Sequence, residues 1–264
     1  MEYIAIPAAA FFASTMSFYS GFGLGTLLMP VLAVFFPLPV AIAATAVVHG
    51  SNNLFKIMMV GIKADKELVV KFGLPAIAAA FAGAWALHLF TAVSGAVVYD
   101  YNLLGRVASV TPLKVLLALL MLGFAAVDMH PSLRKMKFDR KYLPVGGLLS
   151  GFFGGLSGHQ GALRSAFLVK TDVTPEAFVA TNAVIGFMVD LARMLIYAYA
   201  LFILGDAHGF DGLPAGVIAA ATAASVAGVL LGLKTIHKVT ISSVQALTGA
   251  MLATIAVFLG AGLI

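Results

Sequence analysis

Residues 146–193 read GGLLSGFFGGLSGHQGALRSAFLVKTDVTPEAFVATNAVIGFMVDLAR, and this stretch decides the fold. Its first part is apolar but interrupted by Gly151, Gly154, Gly155, Gly158 and Gly161. His159, Gln160 and Arg164 stand at or just after the interruption. Pro175 then opens a helix, where a fixed φ and a missing N–H suit the first turn. That helix carries Asn182, Asp190 and Arg193 on an otherwise apolar body. A weaker copy lies upstream at 20–56, SGFGLGTLLMPVLAVFFPLPVAIAATAVVHGSNNLFK, with Gly21, Gly23 and Gly25 at the break and His49, Asn53 and Lys56 on the helix.

Working outward, the chain has 264 residues, 61% hydrophobic and only 10% charged, with a mean hydropathy of +1.04. No water-soluble core of this size needs so much apolar sequence, so a polytopic membrane protein is expected. Cysteine is absent, which excludes disulfides and thiolate metal sites. The opening MEYIAIPAAAFF lacks the basic region of a cleaved signal, so the first apolar segment is expected to be retained. Net charge is +5, but most Lys and Arg fall between apolar blocks, where membrane orientation explains them better than nucleic acid does.

The apolar blocks are 3–36, 39–60, 68–90, 112–128, 143–170, 175–204, 213–234 and 241–262. They divide into a first transmembrane repeat at 1–128, a basic cytoplasmic linker at 129–142 (MHPSLRKMKFDRKY) and a second repeat at 143–264. At an offset of 136 residues, Gly25, Pro39, Ala41, Ala44, Thr45 and Gly50 match Gly161, Pro175, Ala177, Ala180, Thr181 and Gly186. At 137, Thr45, His49, Asn53 and Lys56 match Asn182, Gly186, Asp190 and Arg193. Both sets step by four, four and three, which places each on one helical face.

Blocks 3–36 and 143–170 hold 34 and 28 residues. As single helices they would run about 51 and 42 Å, against an apolar bilayer of about 30 Å. Each is either a long broken helix that spans or a re-entrant hairpin of two short helices. If both span, one side receives Lys63, Lys66, Lys71, Arg134, Lys135, Lys137, Arg140 and Lys141, and the other Arg106, Lys114, Lys170, Lys234 and Lys238, eight against five. If both are hairpins, Lys170, Lys234 and Lys238 change sides and the ratio becomes eleven against two. The positive-inside rule favours the hairpins. Each half then has three spans, an odd number, so the halves form an inverted repeat with both termini extracytoplasmic. The expected fold is an all-α integral membrane protein of two inverted repeats, each a Gly-broken re-entrant or discontinuous helix plus three transmembrane helices.

Such breaks survive in a membrane only against protein or a wet cavity, because lipid cannot satisfy free N–H and C=O groups. Helix N-termini at a break favour anions, and inverted repeats with broken helices are a transporter design. The cations agree in sign. A charge at the centre of a membrane helix costs about 2.5–3.5 kcal/mol on insertion scales, and Arg offers a planar fork of donors to an oxyanion. Arg193 and Arg164 are therefore read as substrate-charge residues, with His159, Gln160, Asn182, His49, Asn53 and Lys56 beside them and Gly158, Gly161, Gly23 and Gly25 giving close backbone approach. Asp190 orients Arg193 or carries a coupling proton; His159 and His49 are the other titratable groups on the path. The competing reading is structural: Asp190 and Arg193, spaced i,i+3, neutralise each other, Lys56 snorkels to the interface, and the glycines serve helix packing.

The paired elements GFGLGTLLMPVLAVFFPLPVAIAAT and SGFFGGLSGHQGALRSAFLVKTDVTPEAFVAT resemble the two repeats of the TauE/SafE family, the sulfite exporter or toluene sulfonate uptake permeases. The resemblance covers nearly the whole chain. It implies a secondary transporter of sulfite, organosulfonates or related small anions in the bacterial inner membrane, with a direction that differs among members. By position the family's motifs fall on Gly21, Gly23, Gly25 and Pro30, and on Gly154, Gly155, Gly158 and Gly161. This sequence departs from the pattern in having Ala166 opposite Pro30, and His159, Gln160 and Arg164 where small or apolar residues are usual.

Rival readings are an anion channel of the same architecture, a membrane-anchored assembly subunit, and an intramembrane protease. The last rests on Gly155-Leu156-Ser157-Gly158, which resembles the rhomboid nucleophile motif. It needs a His base from a later buried helix, whereas His208 and His237 fall in expected loops and His159 is too close in sequence. No metal or nucleotide motif is present, and no cofactor is expected. The expected partners are a small anionic substrate, the lipid bilayer and a coupling proton, with no nucleic acid; a homodimer is compatible but unsupported by a motif.

Overall fold

The structure is a computed structural model. It describes residues 1–20, 24–93, 98–103, 106–130, 138–168, 171, 173–205, 214–235 and 241–264. The helices are α1 (Glu2–Ser20), α2 (Leu24–Phe35), α3 (Leu38–Val60), α4 (Leu74–Val93), α5 (Pro112–Met129), α6 (Leu143–Ser157), α7 (Gly161–Leu168), α8 (Pro175–Phe202), α9 (Ala215–Thr235) and α10 (Ile241–Gly260). Helix α4 is continuous with a π-helical turn at Val69–Gly73 and a first turn at Lys66–Leu68, whose N-cap Asp65 accepts from the Leu68 N–H. Pro112 and Pro175 sit in the first turns of α5 and α8, behind Thr111 and Thr174, whose hydroxyls accept from Lys114 and Ala177 N–H.

Among the described residues four helices are long and apolar enough to cross a membrane: Lys66–Thr91, Pro112–Met129, Pro175–Phe202 and Ala215–Lys234. Leu24–Phe35 and Gly249–Gly260 are shorter apolar helices. Helix α3 has sufficient length, but His49, Ser51, Asn52, Asn53 and Lys56 dilute its hydropathy. The two overlong blocks are indeed broken. Block 3–36 divides into α1 and α2, and block 143–170 into α6 and α7.

The second break is a reversal. Gly158 takes φ +83, a left-handed cap that suits glycine, and its N–H bonds Gly154 O. Beyond it, Ser150 Oγ donates to Gln160 O at 2.9 Å. A Cβ at Gly146 would lie 2.5 Å from the Phe167 ring. The last turn of α7 is therefore back beside the first turn of α6. With eight residues, about 12 Å, α7 cannot cross a bilayer.

Packing pairs the helices across the two halves. Along α6, Gly147, Gly151 and Gly155 lie against Phe72, Ala76 and Ala80, so α6 and α4 run parallel. Tyr3 lies by Gly216 and Phe18 by Gly232, so α1 and α9 also run parallel. Gly249 meets Asp128 and Gly260 meets Ala118, which makes α5 and α10 antiparallel. Helices α3 and α8 cross antiparallel at the centre, Gly50 beside Asp190 and Asn53 beside Gly186.

One feature corrects the all-α expectation. Two strands, β1 (Tyr99–Leu103) and β2 (Arg106–Val110), pair antiparallel as a hairpin. It packs on the end of α10: Tyr101 Oη donates to Ala261 O at 2.6 Å, and Ser109 N–H to Gly262 O at 3.1 Å. Asp100 stands exposed on β1. Gly21 and Gly23, residues 131–137 within the 129–142 stretch with Arg134, Lys135 and Lys137, and Lys170, Asp206, His208, Asp211, His237 and Lys238 lie outside the described residues.

Candidate functional site

The crossing of α3 and α8 faces two polar stripes toward each other. Gly50 and Gly186, matched in the sequence repeat, make the approach close. A Cβ at Gly50 would lie 3.3 Å from Asp190 Cβ. At Gly186 it would lie 2.7 Å from Asn53 Nδ2 and 3.1 Å from Arg164 Nη1, so polar groups fill the space this glycine leaves.

Asp190 is the hub and is fully buried. Its Oδ2 lies 2.6 Å from His49 Nδ1 and accepts from Asn53 Nδ2 at 3.3 Å. Its Oδ1 accepts from Gln160 Nε2 at 3.3 Å and from Arg193 Nη1 at 3.2 Å. With every neighbour a donor, the arrangement fits the acceptor-only carboxylate. Arg193 also donates from Nη2 to Ile42 O at 2.9 Å, the carbonyl of the facing helix. It is 1% exposed. The i,i+3 ion pair weighed from the sequence is thus formed, and it ties α3 to α8.

Arg164 reaches the same crossing from α7. Its Nε donates to Asn182 Oδ1 at 2.7 Å and its Nη1 to Gln160 Oε1 at 3.0 Å. Asn182 in turn donates to Phe178 O at 2.9 Å, which fixes its oxygen toward the guanidinium. Lys56 does not snorkel to the surface. It is 6% exposed, with Nζ 5.7 Å from the Phe18 ring centroid.

Two clefts open here. One is lined by Ser17, Phe18, His49, Asn53, Lys56, Arg164 and Asn182, with Leu24, Val179 and Ala183. The other is lined by Gly25, Thr26, His49, Gly158, Gln160, Gly161 and Arg164. His49 and Arg164 belong to both and form the wall between them. The second cleft lies between the first turns of α2 and α7, and a Cβ at Gly25 would sit 3.5 Å from Gly158 O. The two broken elements therefore meet, with a helix N-terminus from each at the cleft.

Most of the residues singled out in the sequence converge, but not all in one role. Arg164, Gln160, Asn182, Gly158, Gly161, Gly25, His49, Asn53 and Lys56 line the clefts. Arg193 and Asp190 stand behind them and line neither. His159 turns away toward α5, its ring stacked on Phe124 at 5.7 Å and 7°. Its Nδ1 lies 3.1 Å from Ser157 Oγ, so proximity in sequence does bring these two together. The Ser157 hydroxyl donates to Phe153 O at 3.0 Å, which directs its proton at that carbonyl and away from the imidazole. Gly23 lies outside the described residues.

Sequence reasoning missed Ser17, Phe18 and Thr26 on the cleft walls. Ser14 and Ser17, spaced i,i+3 in apolar α1, were the available signal. Ser14 bonds Ser225 O at 2.6 Å and receives Asn52 Nδ2 at 2.8 Å, a buried node joining α1, α3 and α9. Among the described residues no group of three His, Asp or Glu could hold a metal ion.

The model of one protein family, described as sulfite exporter TauE/SafE, matches residues 6–259. No curated protein and no solved structure matches the chain.

Proposed function

The chain belongs to the TauE/SafE sulfite exporter family, whose members are membrane transporters of sulfur-containing anions and not enzymes, and we propose that it is a secondary carrier of sulfite or a small sulfonate, with the anion seated between Lys56 and Arg164. The observation that carries this reading is a charge excess in a buried place. Lys56, Arg164 and Arg193 stand against Asp190 alone in the described cluster, and Lys56 and Arg164 share one cleft wall. Two buried cations side by side are costly unless an anion joins them. Asn53 and Asn182 supply hydrogen bonds there, and the first turns of α2 and α7 supply backbone N–H groups in the adjoining cleft. Asp190 and Arg193 hold α3 and α8 in register behind the anion.

The repeats at 1–128 and 143–264 are read as inverted, joined by the 129–142 linker. The packing supports this. Exchanging α1 to α5 with α6 to α10 turns the α1–α9 pair into the α6–α4 pair and leaves the α3–α8 and α5–α10 pairs unchanged. The reversal of α6 onto α7 supports a re-entrant hairpin, and with it the eleven-against-two distribution of cations. In a bacterial inner membrane both termini would then face outward. A C-terminal tag is expected to react with an impermeant reagent on intact cells; reaction only after lysis would overturn the inverted arrangement.

A carrier fits better than a channel because the two clefts are divided by the His49–Arg164 wall. The test is radiolabelled flux into proteoliposomes with and without a pH gradient, using sulfite, sulfate, a C2 sulfonate, a short carboxylate and a cation. Saturable, gradient-dependent flux of sulfite or sulfonate is expected. Unitary currents would establish the channel instead, and absence of flux for every anion would remove the substrate reading.

A further inference from the structure

His49 is the imidazole that lines both clefts. Its Nδ1 faces Asp190 Oδ2 at 2.6 Å, and its Cδ2 edge lies against the position of Gly25, 3.5 Å from a Cβ built there. Donating the Nδ1 proton to Asp190 leaves Nε2, across the ring, as the free nitrogen. Among the described residues the side-chain hydrogen-bond contacts of this ring, to Asp190 and Asn53, are all made at Nδ1. We propose that His49 Nε2 carries the coupling proton, one proton moving with each monovalent anion, a deepening that rests on the anion-site reading above.

Other carriers fit the geometry less well. Asp190 receives four donors, lines neither cleft and is 0% exposed. His159 faces Phe124 and lines neither cleft. Lys56 lines only one. Among the described residues the charged groups facing His49 are Asp190 and Arg193 from α8, Lys56 from its own helix and Arg164 from α7; α1 and α2 present the uncharged Ser17, Phe18, Leu24, Gly25 and Thr26.

Among these side chains only an imidazole ordinarily changes charge between pH 5 and 8. A proton from solvent binds the Nε2 lone pair, and the imidazolium keeps its Nδ1–H on Asp190. The new Nε2–H points a charged donor at an oxyanion in the cleft. Anion and proton therefore bind with positive coupling, and linkage makes the effect reciprocal. When the anion leaves on the other side, the same nitrogen releases its proton. Moved together, a monoanion and a proton transfer no net charge.

The experiment uses the full-length protein in detergent with methanesulfonate, which stays ionised throughout, so any proton taken up belongs to the protein. Expected are a Kd that weakens about tenfold per pH unit on the alkaline side, the slope for one linked proton, and proton uptake on binding seen with an indicator dye in weak buffer. His49→Asn keeps an amide N–H for Asp190 and should make the affinity pH-independent and abolish uptake. Lys56→Gln should bind more weakly but keep the slope. The proposal is overturned if the wild type binds the anion without proton uptake, if the slope persists in His49→Asn, or if Lys56→Gln alone flattens it. The dye measurement on the wild type decides even if His49→Asn does not fold. No binding of methanesulfonate or sulfite at any pH would sink the anion site itself, a different failure.

Discussion

Arg164→Gln is expected to reduce saturable anion uptake about 100-fold while leaving the folded yield close to wild type. Truncating one side of a buried, hydrogen-bonded charge interaction costs about 2–5 kcal/mol, and about 2.7 kcal/mol corresponds to two decades. The guanidinium donates to the amide oxygens of Asn182 and Gln160, two neutral groups, and a glutamine can still offer an amide N–H in place of the guanidinium, so the effect on folding should be smaller than on transport. The substitution also removes one of two like charges that share a cleft with each other, Lys56 being the second. Arg193→Ala provides the contrast. It leaves the fully buried Asp190 without its ion-pair partner, a loss of about 3–5 kcal/mol for a broken buried pair, so folded yield should fall together with transport. Uptake rates in proteoliposomes, normalised to monodisperse protein from size-exclusion chromatography, separate the two. Wild-type uptake by Arg164→Gln would place the substrate charge elsewhere.

The contrast also marks how far the sequence could be read. The four-four-three spacing of Thr45, His49, Asn53 and Lys56, and of Asn182, Gly186, Asp190 and Arg193, required two polar stripes, and the structure sets those stripes face to face. The overlong block 143–170 required a break, and the break lies at Gly158. Side-chain direction was not legible. His159 and Gln160 are adjacent, yet the left-handed turn at Gly158 sends one ring to Phe124 and the other amide to Asp190. Arg193 looked like a substrate ligand because it is a charge deep in an apolar helix. Its actual neighbours, Ile42 O and Asp190, depend on which face of α3 crosses α8, and that is a matter of tertiary packing. The hairpin of β1 and β2 escaped notice because its support, the Ala261 and Gly262 carbonyls, comes from the far end of the chain.

Gly151→Ala is expected to destabilise the protein by about 3 kcal/mol or more, although a single methyl is added. Helix α6 packs on α4 backbone to backbone. A Cβ at Gly151 would lie 2.0 Å from Ala76 O and 2.6 Å from Ala76 Cα. Gly147 and Gly155 meet Phe72 O at 2.3 Å and Ala80 O at 2.3 Å in the same sense, and from the other helix Gly83 meets Phe152 O at 2.1 Å. A backbone carbonyl cannot rotate away as a side chain can, so the helices must separate and the whole seam loosens. In lipid this close packing is itself the source of helix association, since apolar burial offers no preference for protein over acyl chains. Overpacking costs typically 1–3 kcal/mol where side chains can yield, and here they cannot. Helix propensity acts in the opposite direction, favouring Ala over Gly by about 1 kcal/mol, so the sign of the change tells the two effects apart. Gly123 in α5 supplies the control, with nothing within 4 Å of its Cβ position among the described residues. Gly123→Ala should hold or raise the thermal midpoint, whereas Gly151→Ala should lower it by roughly 10 °C. Equal midpoints for the two variants would mean that α6 does not sit on α4 in this way, and the reversal that brings Arg164 and Gln160 to Asp190 would lose its support.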